Sequence, residues 1–205
     1  IAVTGFANAG QVCISSQRIL ATPKIHDDLL DALTTNISQL TAGDQLAEGT
    51  NVGPLVREAD ARRVEEWLGQ ARDQGAELLC GGDREGSVVQ PAVLANVNRD
   101  MRMSCDELFG PAVGVTRADS IDDAIRLAND TRYGLSASIF TQDIDKAIRF
   151  AREVDSGNLH INFGTAWRAE TMPYGGLKDS GMGKEGPRYA VEEMTETKMV
   201  VIHGK

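Results

Sequence analysis

The 205-residue sequence is short of several things at once, and each shortage excludes something. It has three cysteines, Cys13, Cys80 and Cys105, with no C-x-x-C pair among them. An odd, scattered set makes no disulfide framework, so a reducing compartment and a cytoplasmic location are expected. The three histidines, His26, His160 and His203, are equally scattered. Structural zinc takes a close set of Cys and His ligands, so no metal is expected. No block of lysine and arginine is present and the net charge is −9, which argues against nucleic acid as a partner. No apolar run approaches the roughly 18 residues that a membrane helix needs, and no signal peptide opens the chain, so no membrane is expected either. An initiator methionine is also missing: the chain opens on "IAVTGFANAG" and reads as a piece of a longer protein.

What is present is ordinary for a globular core, with 41% hydrophobic and 25% charged residues. "QRILAT" reads as a strand, and from Pro23 the spacing of Leu29, Leu30, Leu33, Ile37 and Leu40 predicts a helix. A second helix is predicted from Arg57, with Val64, Trp67, Leu68 and Ala71 on one face and Gly75 ending it. "AELLCGG" and "SVVQPAVL" read as strands. The middle alternates most clearly: strand "PAVGVTRA", a helix "IDDAIRLAN" opened by a variant capping box of Ser120 and Asp123, strand "LSASIF", a helix "IDKAIRFAREV" capped by Asp143, and strand "GNLHIN". Short connections between such elements mean parallel β-α-β units. The expected fold is therefore α/β, an open, mostly parallel twisted sheet with flanking helices.

After Asn162 comes a long glycine-rich loop, and the chain ends on the extended run "EMTETKMVVI". Such a terminal strand pairs with another domain or subunit. We therefore expect a catalytic domain over 1–192 and an oligomerisation strand over 193–205. "GMGKEG", Gly181 to Gly186, matches G-x-G-x-x-G, but a loop precedes it and too little chain follows for a dinucleotide-binding β-α-β unit. Its glycines are read as a tight turn before a short final helix.

"NAGQVCISSQR" places Cys13 among small and polar residues rather than in an apolar run. A free thiol has a pKa near ~8.5 and needs help to act as a nucleophile. On such a connection the sulfur and its own amide face a cleft, and that amide can stabilise an oxyanion. Composition alone nevertheless favours a structural cysteine.

The longer segment "FANAGQVCISSQR" resembles the active-site cysteine segment of the NAD(P)-dependent aldehyde dehydrogenase superfamily, F-x-x-x-G-Q-x-C-x-x-x-x-R. "DELFGPAV" resembles its E-x-F-G-P segment, and "NDTRYGLSASIFT" its N-x-x-x-Y-G-L-x-x-x-(I/V)-F-T segment. "GNLHIN" followed by "MPYGGLKDSGMGKEG" resembles its G-x-x-x-x-N and P-F-G-G-x-K-x-S-G-x-G-x-E-G segments. In this order the motifs cover nearly the whole chain.

The resemblance implies that Cys13 is the thiol that attacks an aldehyde to give a thiohemiacetal. It implies that Glu107 holds the nicotinamide ribose, that Phe109 packs beside the nicotinamide of NAD or NADP, and that Asn162 helps shape the catalytic pocket. Hydride transfer then leaves a thioester, which water hydrolyses to the acid with a general base. In the family that base is a glutamate that precedes the cysteine, outside this sequence, as are the cofactor domain and the lysine that contacts the adenosine ribose. The isolated chain is therefore expected to be inactive, to need its own N-terminal cofactor domain, and to form a homodimer or homotetramer.

Arg168 lies just after Asn162, where the family's substrate entrance runs. It reads either as an anchor for a short polar or anionic aldehyde or as a surface arginine paired with Glu170. Tyr174 stands where phenylalanine is commoner and reads as harmless. Two other readings stay open: a cysteine hydrolase or acyltransferase pairing Cys13 with His26 or His160, and an acylating dehydrogenase that passes the thioester to coenzyme A.

Overall fold

The structure, a computed structural model, describes residues 1–204. Its first helix, α1 (Ala2–Phe6), runs into a 3-10 turn over Ala7–Gly10 that cannot remain helical, because Asn8, Ala9 and Gly10 all have positive φ. β1 (Arg18–Ala21), α2 (His26–Ile37) and α3 (Glu58–Asp73) follow. Next come β2 (Glu77–Cys80), a hairpin of β3 (Arg84–Glu85) and β4 (Val88–Val89), then β5 (Ala92–Ala95). A one-turn helix, α4 (Arg102–Cys105), leads to β6 (Ala112–Arg117) and α5 (Ile121–Asn129). The chain continues through β7 (Tyr133–Gly134), β8 (Ser136–Ile139), α6 (Ile144–Glu153) and β9 (Asn158–Ile161), and finishes with β10 (Leu177–Lys178) and α7 (Pro187–Glu193).

The sequence patterns explain most of these boundaries. α3 buries Ala61, Val64, Trp67, Leu68 and Ala71 on one stripe and stops before Gly75, whose φ of 101° suits a helix end. α5 starts where Ser120 accepts the Asp123 N–H at 3.1 Å, while the Asp123 carboxylate reaches back to the Asp119 N–H at 3.0 Å. The reciprocal half of the box thus lands one residue further out than the usual arrangement. Asp143 accepts from the N–H groups of Asp145 and Lys146 and opens α6. "SVVQPAVL" is not one strand. Pro91 has no N–H to give a ladder, so the run splits into β4, which turns back on β3, and β5, which enters the main sheet.

The main sheet has the order β1-β6-β5-β2, parallel except for the antiparallel edge strand β2. β8 and β9 pair in parallel as a separate two-stranded sheet crossed over by α6. The α/β, mostly parallel architecture follows the sequence patterns, but β6 and β8 lie in different sheets, so the expected alternation is carried by two sheets rather than one. Each has its own core. The larger packs α2 and α3 on the main sheet around Leu94, Val113 and Val115, and the smaller gathers Ile125, Phe150 and Val154. Arg18 joins the two: it leaves β1 and donates to the Leu127 carbonyl at 2.7 Å, a cation at the C-terminal end of α5. Burial lowers its pKa against the pull of Asp130.

The final helix begins on Pro187 behind Gly186, with φ of 104°, and so explains the glycines of "GMGKEG" as turn formers. Residues 195–204 form neither helix nor strand, and Met199, Val200, Val201 and Ile202 are exposed. Among the described residues no helix is long and apolar enough to cross a membrane.

Ser120→Ala should lower stability by about 1 kcal/mol, the typical worth of an N-cap, read as a lower urea midpoint with an unchanged slope. An unchanged midpoint would show that the backbone, not the cap, starts α5.

Candidate active site

Cys13 sits at the tip of a turn closed by the Ser15 N–H donating to the Val12 carbonyl at 2.8 Å. The turn is tied down on two sides. The Ser15 hydroxyl donates to the carbonyls of Thr4 and Gly5 at 3.1 Å, and the Ser16 N–H donates to Thr4 at 3.0 Å. From the other side Thr165 donates to the Ile14 carbonyl at 2.7 Å and shares a hydrogen with the Ser16 hydroxyl at 2.8 Å. Cys13 is left exposed at the end of this bonded turn. Among the described residues the Cys13 N–H has no acceptor, which leaves a donor open beside the sulfur.

Facing it is the segment that carries Glu107 and Phe109. Gly10 and Gly110 cross there so closely that a Cβ on Gly10, whose φ is 69°, would overlap the Gly110 carbonyl. A Cβ on Gly110 would in turn overlap the Val64 side chain. The crossing leaves a small cleft lined by Cys13, Glu107, Phe109 and the two glycines. Phe109 has φ of 51° and is 40% exposed, so it presents an open apolar face there.

The Glu107 segment is held by residues the sequence patterns did not single out. Gln17 donates through Nε2 to the carbonyls of Met103 (2.9 Å) and Asp106 (2.8 Å) and accepts the Leu108 N–H through Oε1 at 2.8 Å. Arg63 donates to the Leu108 carbonyl at 2.6 Å. The guanidinium groups of Arg63 and Arg102 lie over the Trp67 ring at 5.3 and 4.1 Å. Every partner of Gln17, Arg63 and Arg102 here is a backbone group or a ring face, and neither leaves a mark at fixed spacing in the sequence.

Asn162 stands apart from this cleft. It ends β9 with φ of 58°, donates its N–H to the Ile139 carbonyl at 2.8 Å and accepts the Thr141 N–H on its side-chain oxygen at 2.8 Å. That left-handed step turns the chain toward Thr165 and hence toward the Cys13 turn.

Tyr174, which from the sequence reads as a harmless replacement of phenylalanine, lies at the sulfur. It is buried, and its hydroxyl is 3.3 Å from the Cys13 sulfur. Burial, followed by the hydrogen bond with Cys13, raises its pKa above the ordinary phenol range. Arg168 lies over the Tyr174 ring at 4.5 Å and pairs with Glu185 at 2.9 Å, not with Glu170. Neither histidine offered as a partner bonds the sulfur: His26 pairs with Asp27 at 2.8 Å, and His160 packs against Trp167 with its pKa lowered by burial.

The profile of the aldehyde dehydrogenase family matches residues 1–200. A 3-sulfolactaldehyde dehydrogenase of Priestia aryabhattai is 45% identical over 203 residues, covering 99% of this chain and 43% of the relative. Two solved structures superpose closely. Aldehyde dehydrogenase 21 of Physcomitrella patens, in complex with the reaction product succinate, matches 98% of this chain and 42% of its own at 34% identity and a TM-score of 0.95. Glyceraldehyde-3-phosphate dehydrogenase of Methanocaldococcus jannaschii, complexed with NADP, matches 94% of this chain and 42% of its own at 39% identity and a TM-score of 0.90. The chain thus spans less than half the length of the relatives it matches.

Gln17→Leu keeps the bulk but removes all three of its bonds to the Glu107 segment. It should cost about 2 kcal/mol, the order expected when buried backbone groups lose their partners. Hydrogen exchange at the Leu108 N–H should speed up more than at Val113 in the neighbouring strand β6. Equal protection in variant and wild type would mean that Arg63 alone holds the segment.

Proposed function

The chain belongs to the aldehyde dehydrogenase family, and on that premise we propose that it is the catalytic part of an enzyme that oxidises a short polar or anionic aldehyde to its carboxylic acid with NAD or NADP. The observation that carries this reading is the single cleft in which Cys13 faces Glu107 and Phe109 across the Gly10–Gly110 crossing. In this reading the Cys13 thiolate attacks the aldehyde carbon, forming the carbon–sulfur bond of a thiohemiacetal. The negative charge that gathers on the oxygen is met by the Cys13 N–H.

The residues present suit a nicotinamide end. Glu107 offers a carboxylate that can accept from two neighbouring ribose hydroxyls, and Phe109 offers an apolar ring face. When bound, the nicotinamide dinucleotide supplies the acceptor for the hydride that leaves the thiohemiacetal, and a thioester on Cys13 remains for water to release as the acid. The chain's own contribution is placement: Gln17 and Arg63 fix Glu107, and the turn bonded by Ser15, Ser16 and Thr165 fixes the sulfur. Asn162 enters as a residue that shapes the pocket wall through the Thr165 loop. The run over 193–205 serves as the assembly strand of a dimer or tetramer.

The anionic preference rests on Arg168. Its guanidinium lies over the ring of Tyr174, whose hydroxyl is 3.3 Å from the sulfur, and the side chain of its partner Glu185 is 63% exposed. Exposed ion pairs are weak, so a sulfonate, phosphate or carboxylate on the substrate can take the place of Glu185. The names of the relatives fit such a group.

With the whole protein, reduced nicotinamide should form from short anionic aldehydes and should be absent for Cys13→Ala. Arg168→Ala should raise the KM for an anionic aldehyde at least tenfold more than for a neutral one of the same size, the order of one charge-assisted bond. An unchanged KM ratio would remove Arg168 from substrate recognition, and activity surviving in Cys13→Ala would remove the nucleophile.

A further inference from the structure

The mechanism above uses Cys13, Glu107, Phe109 and Arg168 and leaves one buried polar group beside the reacting sulfur without a task. Tyr174 is 6% exposed, and its hydroxyl oxygen is 3.3 Å from Cys13 Sγ although the two residues are 161 positions apart in the chain. We propose that the Tyr174 hydroxyl is the hydrogen-bond donor that stabilises the Cys13 thiolate and aims it into the cleft, a role a phenylalanine at this place cannot fill. The proposal rests on Cys13 as the nucleophile and adds to it a buried donor aimed at its sulfur.

Hydrogen-bond chemistry sets the direction of the bond. A neutral thiol and a phenol can each donate, but a thiolate can only accept, so ionisation of Cys13 commits the Tyr174 proton to the sulfur. A bond to a charged acceptor is about twice as strong as a neutral one, so the contact favours the thiolate over the thiol. The Cys13 proton leaves to solvent and the tyrosine keeps its own. Burial, the bond and charge of Cys13 and, after them, the neighbouring Glu185 keep the phenol protonated, against the opposing influence of Arg168.

The position of the hydroxyl is fixed from several sides. Tyr174 and Glu185 exchange both backbone bonds, the Tyr174 N–H donating to Glu185 at 3.2 Å and the Glu185 N–H donating to Tyr174 at 2.6 Å. Arg168 covers the ring and closes back on Glu185. The charged groups around the contact are therefore Arg168 and Glu185 on the Tyr174 side and Glu107 on the cleft side. The opposite charges of Arg168 and Glu185 are paired with each other, which leaves the phenol as the specific partner of the sulfur.

The test is the pH profile of Cys13 alkylation by iodoacetamide in the whole protein, in a Cys80→Ala, Cys105→Ala background, read by mass on the peptide that carries Cys13. Tyr174→Phe keeps the ring under Arg168 and removes only the hydroxyl. The midpoint of the profile should rise by about one pH unit and the rate at neutral pH should fall about tenfold. The thiolate ultraviolet absorbance should follow the same shift. Site-specific 3-fluorotyrosine at position 174, a stronger donor that keeps the shape, should move the midpoint the other way. Coincident midpoints in wild type and Tyr174→Phe, or shifts of the same sign in both variants, would overturn the proposal. Aldehyde oxidation by Cys13→Ala separates the two ideas: activity there defeats the nucleophile reading whatever the midpoints do, whereas an inactive Cys13→Ala with an unmoved midpoint defeats the role of Tyr174 alone.

Discussion

Gly10 and Gly110 touch backbone to backbone, and Cys13, Glu107 and Phe109 take their places from that contact. On one side of it the chain turns into the Cys13 loop, and on the other it has just carried Glu107 and Phe109 past. No side chain fits at either position, since a Cβ on Gly10 would meet the Gly110 carbonyl and a Cβ on Gly110 would meet Val64 of α3. The site is therefore built by excluding atoms as much as by adding them. Two segments about a hundred residues apart in sequence are brought to one cleft because each has nothing but backbone where they cross.

That closeness imposes conformations that L-residues resist. Asn8, Ala9, Phe109 and Asn162 all hold positive φ, and they flank the cleft or the loop that supports it. Such residues cost of order 1–3 kcal/mol each and persist only where surrounding bonds over-determine them. Here the bonds are visible: Asn8 and Gln11 exchange side-chain contacts with each other's carbonyls at 3.2 and 3.1 Å, Gln17 and Arg63 hold the segment before Phe109, and Asn162 is bonded through both its backbone and its side chain. The sulfur is thus positioned by two glycines and a net of hydrogen bonds to carbonyls, laid over the main core through Ala9, Leu108 and Ala112.

Much of this was legible in the sequence where the signal is local. The stripe of α3, the Ser120 and Asp143 caps and the terminal Pro187 helix follow from spacing alone, and the motif texts around Cys13 and Glu107 lead to the two walls of one cleft. What was not legible depended on distant partners. Pro91 divided a run that read as one strand, and nothing in "LSASIF" said it would leave the sheet of β6. Gln17 acts on carbonyls, which every residue carries. Arg168 has an acidic residue two positions away in Glu170, yet pairs with Glu185, because the Tyr174–Glu185 backbone bridge brings that carboxylate to it. Tyr174 differs from the commoner phenylalanine by one oxygen atom, and that atom matters only once the fold places it beside Cys13.

The central claim is that the cleft at the glycine crossing presents Cys13 as the nucleophile toward an aldehyde. Its most direct test is to quench the whole protein with acid during turnover of a short anionic aldehyde and NAD(P)+, then weigh the peptides that contain cysteine. The account predicts an acyl group of the substrate's mass on the peptide carrying Cys13 and none on those carrying Cys80 or Cys105. Acid product formed at full rate with Cys13 unmodified at every quench time, or the acyl group found on another cysteine, would contradict it.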